Sequence, residues 1–277
     1  MGDVQPKVRI GLGQILVEGG RAGANIARAV AMVRRAAEAE CQIVVLPECL
    51  DAGWTHPAAV ELAEPIPGRT SDALASVAAA HSMYLVAGLT EREGDRIYNA
   101  AVLIGPEGRI LLQHRKLNEL DIAHSLYANG DRLGVAHTPF GTLGVTICAD
   151  NFPESLVFGH ALARMGCQLL LSPCAWAVDA DHDNGREPYG DLWLRAYSEL
   201  ARLYDMPVIG VSNVGWLEAG PWRGRKCIGC SLAVGAGGSV LAQGPYGEAA
   251  QALVAVDVEL RPPMKGQTTQ TDRLPHG

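Results

Sequence analysis

The sequence predicts one α/β domain built on parallel β-strands. Apolar runs typical of buried strands alternate with amphipathic helices through the middle of the 277 residues. No segment rich in Pro, Gly and Ser divides the chain, and its length is sufficient for one large domain with a sizeable core. We therefore expect residues 1–277 to form a single domain, with an extended polar C-terminal arm from about residue 262.

The first strand-helix-strand unit indicates the direction of the sheet. Residues 8–15 are predicted to form a strand, and Asn25 is predicted to cap a helix whose apolar residues recur at helical spacing. Residues 42–46 follow as a second strand. A β-α-β unit of this kind predicts that the sheet begins with parallel pairing.

The later segments repeat and extend this pattern. A helix over residues 70–81 precedes a strand over 83–89, and the turn at 105–108 is typical of a β-hairpin. Two further strand-helix units follow, and the chain ends in short strands. In order, the remaining predicted elements are strands 98–104, 109–113 and 143–147, helix 155–165, strand 168–172, helix 192–204, and strands 208–212, 230–234, 240–242 and 252–258.

The charge and the apolar runs limit the possible partners. The chain contains 23 Lys and Arg against 30 Asp and Glu, a net charge of −7, and it has no basic run. Nucleic acid and anionic membrane surfaces are therefore not expected partners, whereas a small neutral or cationic substrate is compatible with this charge. No apolar run approaches the length that spans a membrane, and the first residues contain no apolar signal core.

The cysteines indicate a reducing environment. Seven cysteines are an odd number without the dense spacing of a secreted disulfide scaffold, so we expect free thiols and a cytoplasmic location. Cys227 and Cys230 form a C-x-x-C pair, which leaves a thiol redox protein as an alternative. That pair lacks the second cysteine pair or the nearby histidine of a zinc site, and we expect no metal or cofactor.

Cys148 has the sequence context of a nucleophile. It follows the strand predicted over residues 143–147 and precedes the helix predicted from residue 155. Open α/β sheets form their sites at the carboxyl ends of strands, where a thiol in a strand-to-helix turn can be exposed and surrounded by backbone N–H groups. The alternative is an inert cysteine that packs as a small hydrophobic residue.

A glutamate and a lysine follow two other strands in the same way. Glu48 comes directly after the second strand, where a carboxylate can reach the thiol as a general base. Lys116 follows the second strand of the hairpin, where its ammonium group can stabilise a developing oxyanion. Each residue alone is more often a solvent-exposed side chain.

Together, Glu48, Lys116 and Cys148 in this order resemble the catalytic triad of the nitrilase superfamily of carbon-nitrogen hydrolases. The similarity covers nearly the whole chain. The other matching residues are Gly13-Gln14, Leu46-Pro47, Tyr98-Asn99, Arg115, the block 144–154, Ser172-Pro173 with Trp176, and Asn213-Val214-Gly215. This resemblance implies an α/β fold in the form of a four-layer α-β-β-α sandwich, and a homodimer or larger homo-oligomer.

The resemblance also implies the role of each site residue. Cys148 is the expected nucleophile, Glu48 the general base and acid, and Lys116 with the backbone N–H of Ala149 the oxyanion donors. The superfamily commonly has a second glutamate well downstream of the lysine, but residues 117–143 contain only Glu119, three residues after Lys116. We assign the second-glutamate role to Glu119, with Asp121 as its rival and a water-filled gap as the other alternative.

The function that the resemblance implies is hydrolysis of a small carboxamide through a cysteine thioester, with release of ammonia. Nitrilases of the superfamily usually have Trp-Glu after the cysteine, whereas this chain has Ala149-Asp150, similar to the amidase and carbamoylase branches. A nitrilase and an N-carbamoyl amide hydrolase remain alternatives within the superfamily, and a redox or a non-catalytic binding protein outside it. By position, the predicted residues of an aromatic, largely uncharged substrate pocket are Trp54, Asn151, Phe152 and Trp176.

Overall fold

The computed structural model describes residues 7–262, and the predicted C-terminal arm lies almost wholly outside them. The strands are, in chain order, β1 (Lys7–Gln14), β2 (Ile43–Val45), β3 (Tyr84–Glu93), β4 (Arg96–Ile104), β5 (Ile110–Arg115), β6 (Val135–Thr138), β7 (Gly141–Val145), β8 (Leu169–Cys174), β9 (Ala177–Val178), β10 (Val208–Ser212), β11 (Val214–Trp216), β12 (Lys226–Ile228), β13 (Leu232–Val234), β14 (Val240–Gln243) and β15 (Ala252–Glu259). The helices are α1 (Ala22–Glu38), α2 (Ala59–Leu62), α3 (Arg69–Ala80), α4 (Val157–Arg164) and α5 (Asp191–Tyr204), with 3₁₀ turns at Asp121–Ala123, Cys148–Asn151 and Pro153–Ser155.

Two six-stranded sheets form the centre of the fold. The first has the order β15-β1-β2-β3-β4-β5 and the second the order β14-β13-β10-β8-β7-β6. Strands β1, β2 and β3 pair parallel, as the first β-α-β unit predicts, and β7, β8 and β10 pair parallel in the second sheet. A third, small sheet of order β11-β12-β9 was not predicted, because its strands have only two or three residues and lack a periodic pattern.

The two large sheets pack face to face. Ile10 and Leu12 on β1 are fully buried in a cluster that also contains Val145 and Leu171 of the second sheet. Strand side chains alternate between faces, so the opposite face of β1 is directed at α1. There, a Cβ atom on Gly13 would lie 2.8 Å from the Met32 side chain, so the glycine lets α1 approach the sheet closely.

Helices cover the outer face of each sheet. A second apolar cluster joins α1 and α3 to the first sheet, and a third joins α4 and α5 to the second sheet. These layers form the α-β-β-α sandwich, so the predicted fold class is confirmed. No helix within residues 7–262 combines the length and the apolar character needed to cross a membrane.

Two predicted helix starts are wrong. Helix α1 begins at Ala22, and Asn25 does not cap it, because its buried amide donates hydrogen bonds to the Glu18 and Asp51 carbonyls, at 2.7 and 3.0 Å. Asn25 therefore ties two loops to the helix. After the nucleophile turn, Pro153–Ser155 forms a 3₁₀ turn, and α4 begins only at Val157.

Candidate active site

The ends of three strands bring Glu48, Lys116 and Cys148 to one cavity of about 150 Å³. Glu48 and Lys116 follow β2 and β5 of the first sheet, and Cys148 follows β7 of the second sheet. Because the two sheets face each other, residues far apart in the sequence meet at one edge of the sandwich. This convergence was predicted from the position of each residue after a strand.

Glu48 is positioned by a close contact between backbones. A Cβ atom on Gly88 of β3 would overlap the Cα atom of Glu48, so only glycine at this position lets the segment after β2 cross β3. The Glu48 carboxylate is almost fully buried. Its Oε1 atom accepts hydrogen bonds from Asn99 Nδ2 at 2.6 Å and from Lys116 Nζ at 2.7 Å. Among the described residues Oε2 has no partner, which leaves this oxygen available for a proton.

Lys116 is a buried cation between two carboxylates. Its Nζ atom lies 2.7 Å from Glu48 Oε1 and 3.7 Å from Glu119 Oε2. Burial lowers the pKa of the ammonium group, but the charges of Glu119 and Glu48 outweigh burial and hold this pKa well above its usual value. The side chain is therefore charged at neutral pH.

Cys148 lies at the first position of a tight turn. Its φ of 43° is in the left-handed region, which is strained for a residue with a side chain. Its backbone N–H donates a hydrogen bond to Ser172 Oγ at 3.1 Å, which helps to hold the turn. Of the seven cysteines, Cys148 is partly exposed and the other six are buried.

The Cys148 thiol is neutral at ordinary pH. Burial raises its pKa well above the usual value, and the adjacent Cys174 thiol and the Glu48 carboxylate raise it further, against the opposing charge of Lys116. A neutral thiol is a weak nucleophile, so attack requires a base that removes the proton. Glu48 is the carboxylate on the wall of the same cavity.

Asp150 joins the nucleophile turn to the segment that carries Lys116. Its carboxylate accepts hydrogen bonds from the backbone N–H groups of Leu117, Asn118 and Ile147 at 3.0, 2.8 and 2.9 Å, and it lies 2.8 Å from His114 Nε2. Burial raises its pKa, but these hydrogen bonds outweigh burial and lower it below the usual value. This structural role of Asp150 was not predicted from the sequence.

The peptide group of Ala149 lies beside the nucleophile. Ala149 lines the cavity, and its carbonyl accepts a hydrogen bond from Asn118 Nδ2 at 2.8 Å. This contact holds the Ala149–Asp150 peptide within the turn that begins at Cys148. The oxyanion role of the Ala149 N–H remains a prediction.

Glu119 is buried against the lysine, whereas Asp121 is exposed. Neither carboxylate oxygen of Glu119 has a hydrogen-bond partner among the described residues. The pKa of Glu119 is raised to about 7, mainly by burial. The positive charge of Lys116 lowers this pKa, and the negative charge of Glu48 raises it. Of the two candidates for the second glutamate, only Glu119 is next to Lys116.

This raised pKa predicts a pH-dependent stability. In the unfolded chain Glu119 releases its proton near pH 4.5, but the folded protein holds it up to about pH 7. The folded state binds more protons in this window, so its stability falls as pH rises through it. From pH 4.5 to 7.5, wild type should lose on the order of 3 kcal/mol of unfolding free energy relative to Glu119→Gln.

Urea unfolding at both pH values measures this difference. Exposed Glu154 provides the control, because Glu154→Gln should follow wild type at each pH. A difference between wild type and Glu119→Gln that stays constant with pH would contradict the raised pKa.

Three of the four predicted pocket residues lie on the cavity wall. Trp54, Phe152 and Trp176 line the cavity, but Asn151 does not. Asn151 is buried behind the turn, where its amide donates to Ser172 Oγ at 3.0 Å. The prediction for Asn151 is therefore wrong. Its short side chain forms hydrogen bonds with the buried Thr146 and Ser172 hydroxyl groups and does not reach the cavity.

Other wall residues were missed. Leu120 follows Lys116, and the remaining aromatic and apolar side chains come from α5, from the loop before it and from the loop before β12. These are Tyr189, Leu192, Trp193 and Trp222, and Ala175 and Ala177 on either side of Trp176 complete the wall. No local sequence pattern connects them to the nucleophile, since they reach it only through the packing of distant segments.

The C-x-x-C pair does not have the properties of a redox site. Burial raises the pKa of Cys227 to about 12 and that of Cys230 to about 11, and both are buried free thiols. Redox-active cysteines are partly exposed and have lowered pKa values, so the structure argues against this alternative. Within residues 7–262, no three His, Cys, Asp or Glu side chains are arranged to hold a metal ion.

The exposure of the thiols predicts selective alkylation. With a limiting dose of iodoacetamide and peptide mapping, Cys148 should carry most of the label, because the other six cysteines are buried. Cys148→Ser is the control and should lose that label. Preferential labelling of Cys227 or Cys230 would instead support the redox alternative.

Known proteins share both the sequence pattern and the fold. A family model described as carbon-nitrogen hydrolase matches residues 9–264. Over 181 residues the chain is 34% identical to omega-amidase NIT2 of Xenopus tropicalis, a match that covers 61% of this chain and 64% of that protein. Omega-amidase NIT2 of Bos taurus is 34% identical over 163 residues, or 55% of this chain and 58% of its own. The matches thus span less than two thirds of these relatives.

Solved structures show the same architecture. A carbon-nitrogen hydrolase from Helicobacter pylori G27 superposes with a TM-score of 0.81 at 21% identity and covers 91% of this chain and 89% of its own. Nit3 of Saccharomyces cerevisiae, a member of branch 10 of the nitrilase superfamily, has a TM-score of 0.76 at 23% identity, with 92% and 90% covered. A mutant of the amidase from Nesterenkonia sp. AN1, which carries a covalent acetamide moiety at its active-site cysteine, has a TM-score of 0.76 at 21% identity, with 91% and 90% covered.

The structural likenesses support the fold, whereas the family model matches residues 9–264, nearly the whole length of the chain. This protein is therefore a member of the carbon-nitrogen hydrolase family.

Proposed function

We propose that this protein hydrolyses a small carboxamide through a thioester on Cys148 and releases ammonia. The observation that carries the proposal is the shared cavity of Cys148, Glu48 and Lys116, with the lysine 2.7 Å from the carboxylate. The amidase names of the sequence relatives and the cysteine adduct of the Nesterenkonia amidase support it.

The first step forms the thioester. Glu48 takes the Cys148 proton as the sulfur attacks the amide carbon, and the carbonyl oxygen becomes an anion stabilised by Lys116 and the Ala149 N–H. Glu48 then gives its proton to the amide nitrogen. The carbon–nitrogen bond breaks, ammonia leaves, and the acyl group remains on the sulfur.

The second step restores the enzyme. Glu48 takes a proton from a water molecule as the water oxygen attacks the thioester carbon. Lys116 and the Ala149 N–H stabilise the resulting oxyanion, as they do in the first step. The carbon–sulfur bond then breaks, the acid leaves, and the proton on Glu48 returns to the Cys148 thiolate. One water molecule is consumed for each amide, and no cofactor takes part in this route.

We further propose that amides are preferred over nitriles and over N-carbamoyl amino acids. Ala149 and Asp150 replace the Trp-Glu pair that usually follows the cysteine of nitrilases. Phe152 cannot pair with a substrate carboxylate as an arginine does, and Asn151 lies behind the turn.

The test compares kcat/KM for one acyl group presented as an amide and as a nitrile to the same enzyme preparation. We expect ammonia and free acid from the amide at the higher kcat/KM. Equal or faster conversion of the nitrile to the acid would identify a nitrilase. Ammonia release from no amide, nitrile or N-carbamoyl compound would favour a binding protein.

We also propose that the protein forms a homodimer or a larger homo-oligomer. The exposed side of the α4-α5 layer carries Val157, Met165 and Leu203, with exposed fractions of 59%, 45% and 50%. Apolar side chains grouped on one layer favour a contact with a second copy. Sedimentation velocity at micromolar concentration should show at least a dimer, and an active species that stays monomeric would contradict the proposal.

We place the protein in the cytoplasm, because all seven cysteines are free thiols and such thiols persist in reducing compartments. Cell fractionation with a cytoplasmic marker tests this location. Recovery with secreted or membrane markers would contradict it.

A further inference from the structure

We propose that the cavity beside Cys148 selects amides with a compact, uncharged, apolar acyl group, and that Tyr189 and Trp193 limit the length of that group. This inference rests on the proposed amide hydrolysis. It concerns the part of the substrate that remains on the sulfur after ammonia leaves.

The wall of the cavity is predominantly apolar. Apart from Glu48 and Lys116, its lining consists of apolar and aromatic side chains. The aromatic members are Trp54, Phe152, Trp176, Tyr189, Trp193 and Trp222. Such a wall stabilises an acyl group by removing its apolar surface from water.

Among residues 7–262, the cavity wall offers no free cation to a carboxylate on the acyl group. Within the described lining, Lys116 is the cation, and it lies 2.7 Å from Glu48 and 3.7 Å from Glu119. Arg225, which packs over Trp222, pairs instead with Asp179 at 2.8 Å. A bound carboxylate would therefore be desolvated next to Glu48 without a counter-charge, which is strongly unfavourable.

A cationic acyl group is also disfavoured, because two cations of the protein already lie over aromatic rings of the wall. Lys116 Nζ lies 5.9 Å from the Trp54 ring centroid. Trp176 and Trp193 stack on each other, with ring centroids 4.9 Å apart and an interplanar angle of 21°. The Arg225 guanidinium lies 4.3 Å from the Trp222 ring centroid. Among the described residues that line the cavity, Glu48 is the carboxylate that could pair with a substrate cation, and it is already paired with Lys116.

The size of the cavity limits the acyl group. Its volume of about 150 Å³ is of the order that accommodates a benzene-sized group. A second cavity of about 380 Å³ is also lined by Trp176, Tyr189 and Trp193, so these three side chains form a wall between the two spaces. Trp193 Nε1 donates a hydrogen bond to the Tyr189 hydroxyl at 2.8 Å, which holds this wall together.

The charge selection is tested with three amides of similar size. They are 4-methylpentanamide, which is neutral, succinamate, whose carboxylate resembles the isopropyl group in shape, and 4-aminobutanamide, which is cationic. The neutral amide should have a kcat/KM at least about 100-fold above each charged amide, because a charge buried without a partner is heavily penalised.

The length limit is tested by measuring kcat/KM for butanamide, hexanamide and octanamide with wild type and with two matched variants. Tyr189→Ala should open the wall and raise the octanamide-to-butanamide ratio of kcat/KM by at least about tenfold, since each buried methylene contributes to transition-state binding. Tyr246→Ala is the matched control. Tyr246 is half-buried like Tyr189 but lines only the second cavity, so the ratio should stay at the wild-type value.

The outcomes separate this inference from the function on which it rests. A charged amide that matches or exceeds 4-methylpentanamide would overturn the charge selection and leave amide hydrolysis standing. An unchanged ratio in a Tyr189→Ala protein whose circular dichroism and melting match wild type would overturn the length limit. Ammonia release from none of the six amides would overturn the proposed function and this inference together.

Discussion

Replacing Glu48 by glutamine should lower kcat for amide hydrolysis by about 10²–10⁴-fold, the usual contribution of a general acid-base residue. The raised pKa of Cys148 makes this base necessary, because the thiol does not ionise unaided at neutral pH. Glutamine has the same shape and can still accept the hydrogen bond from Asn99, so the cavity should keep its form. It cannot take the proton from the thiol or give one to the leaving nitrogen.

The measurement is steady-state ammonia release by wild type and by the variant. Glu154→Gln serves as the control because Glu154 is an exposed carboxylate close to the nucleophile in sequence, and its kcat should match wild type. Near-ultraviolet circular dichroism verifies that Glu48→Gln is folded. A folded Glu48→Gln enzyme with wild-type turnover would remove Glu48 from the mechanism.

Lys116→Ala should lower kcat by at least about 100-fold with little change in KM, because an oxyanion donor acts on the transition state rather than on the bound amide. The lysine is charged and lies between Glu48 and Glu119, so its removal also leaves two buried carboxyl groups without a cation. We therefore expect the melting temperature to fall as well.

A second variant separates chemistry from folding. The double variant Lys116→Ala with Glu119→Gln removes one of the two uncompensated carboxylates, so it should recover stability without recovering turnover. Lys226→Ala, a lysine outside the cavity lining, is the control for the loss of a positive charge. A Lys116→Ala enzyme that keeps most of its kcat would show that the lysine acts only on structure.

The order of strands and helices and the three principal site residues could be predicted from short-range patterns. Each strand or helix must present an apolar face to the core. Its apolar residues therefore recur at a fixed spacing, which can be recognised within a short stretch of sequence. Glu48, Lys116 and Cys148 were recognisable because each comes directly after such a strand. The predicted start of α1 was wrong, because Asn25 lies inside the helix and its side-chain amide donates hydrogen bonds to the carbonyl groups of two loops.

Contacts between distant segments required the folded chain. Asn99 reaches Glu48 across 51 positions of sequence, and Asp150 reaches the Lys116 segment across more than 30. Tyr189 and Trp193 belong to the cavity only because α5 and the loop before it pack against the nucleophile turn. Such partners leave no local signal, because a hydrogen bond or an apolar contact depends on where the backbone brings two residues and not on their separation along the chain.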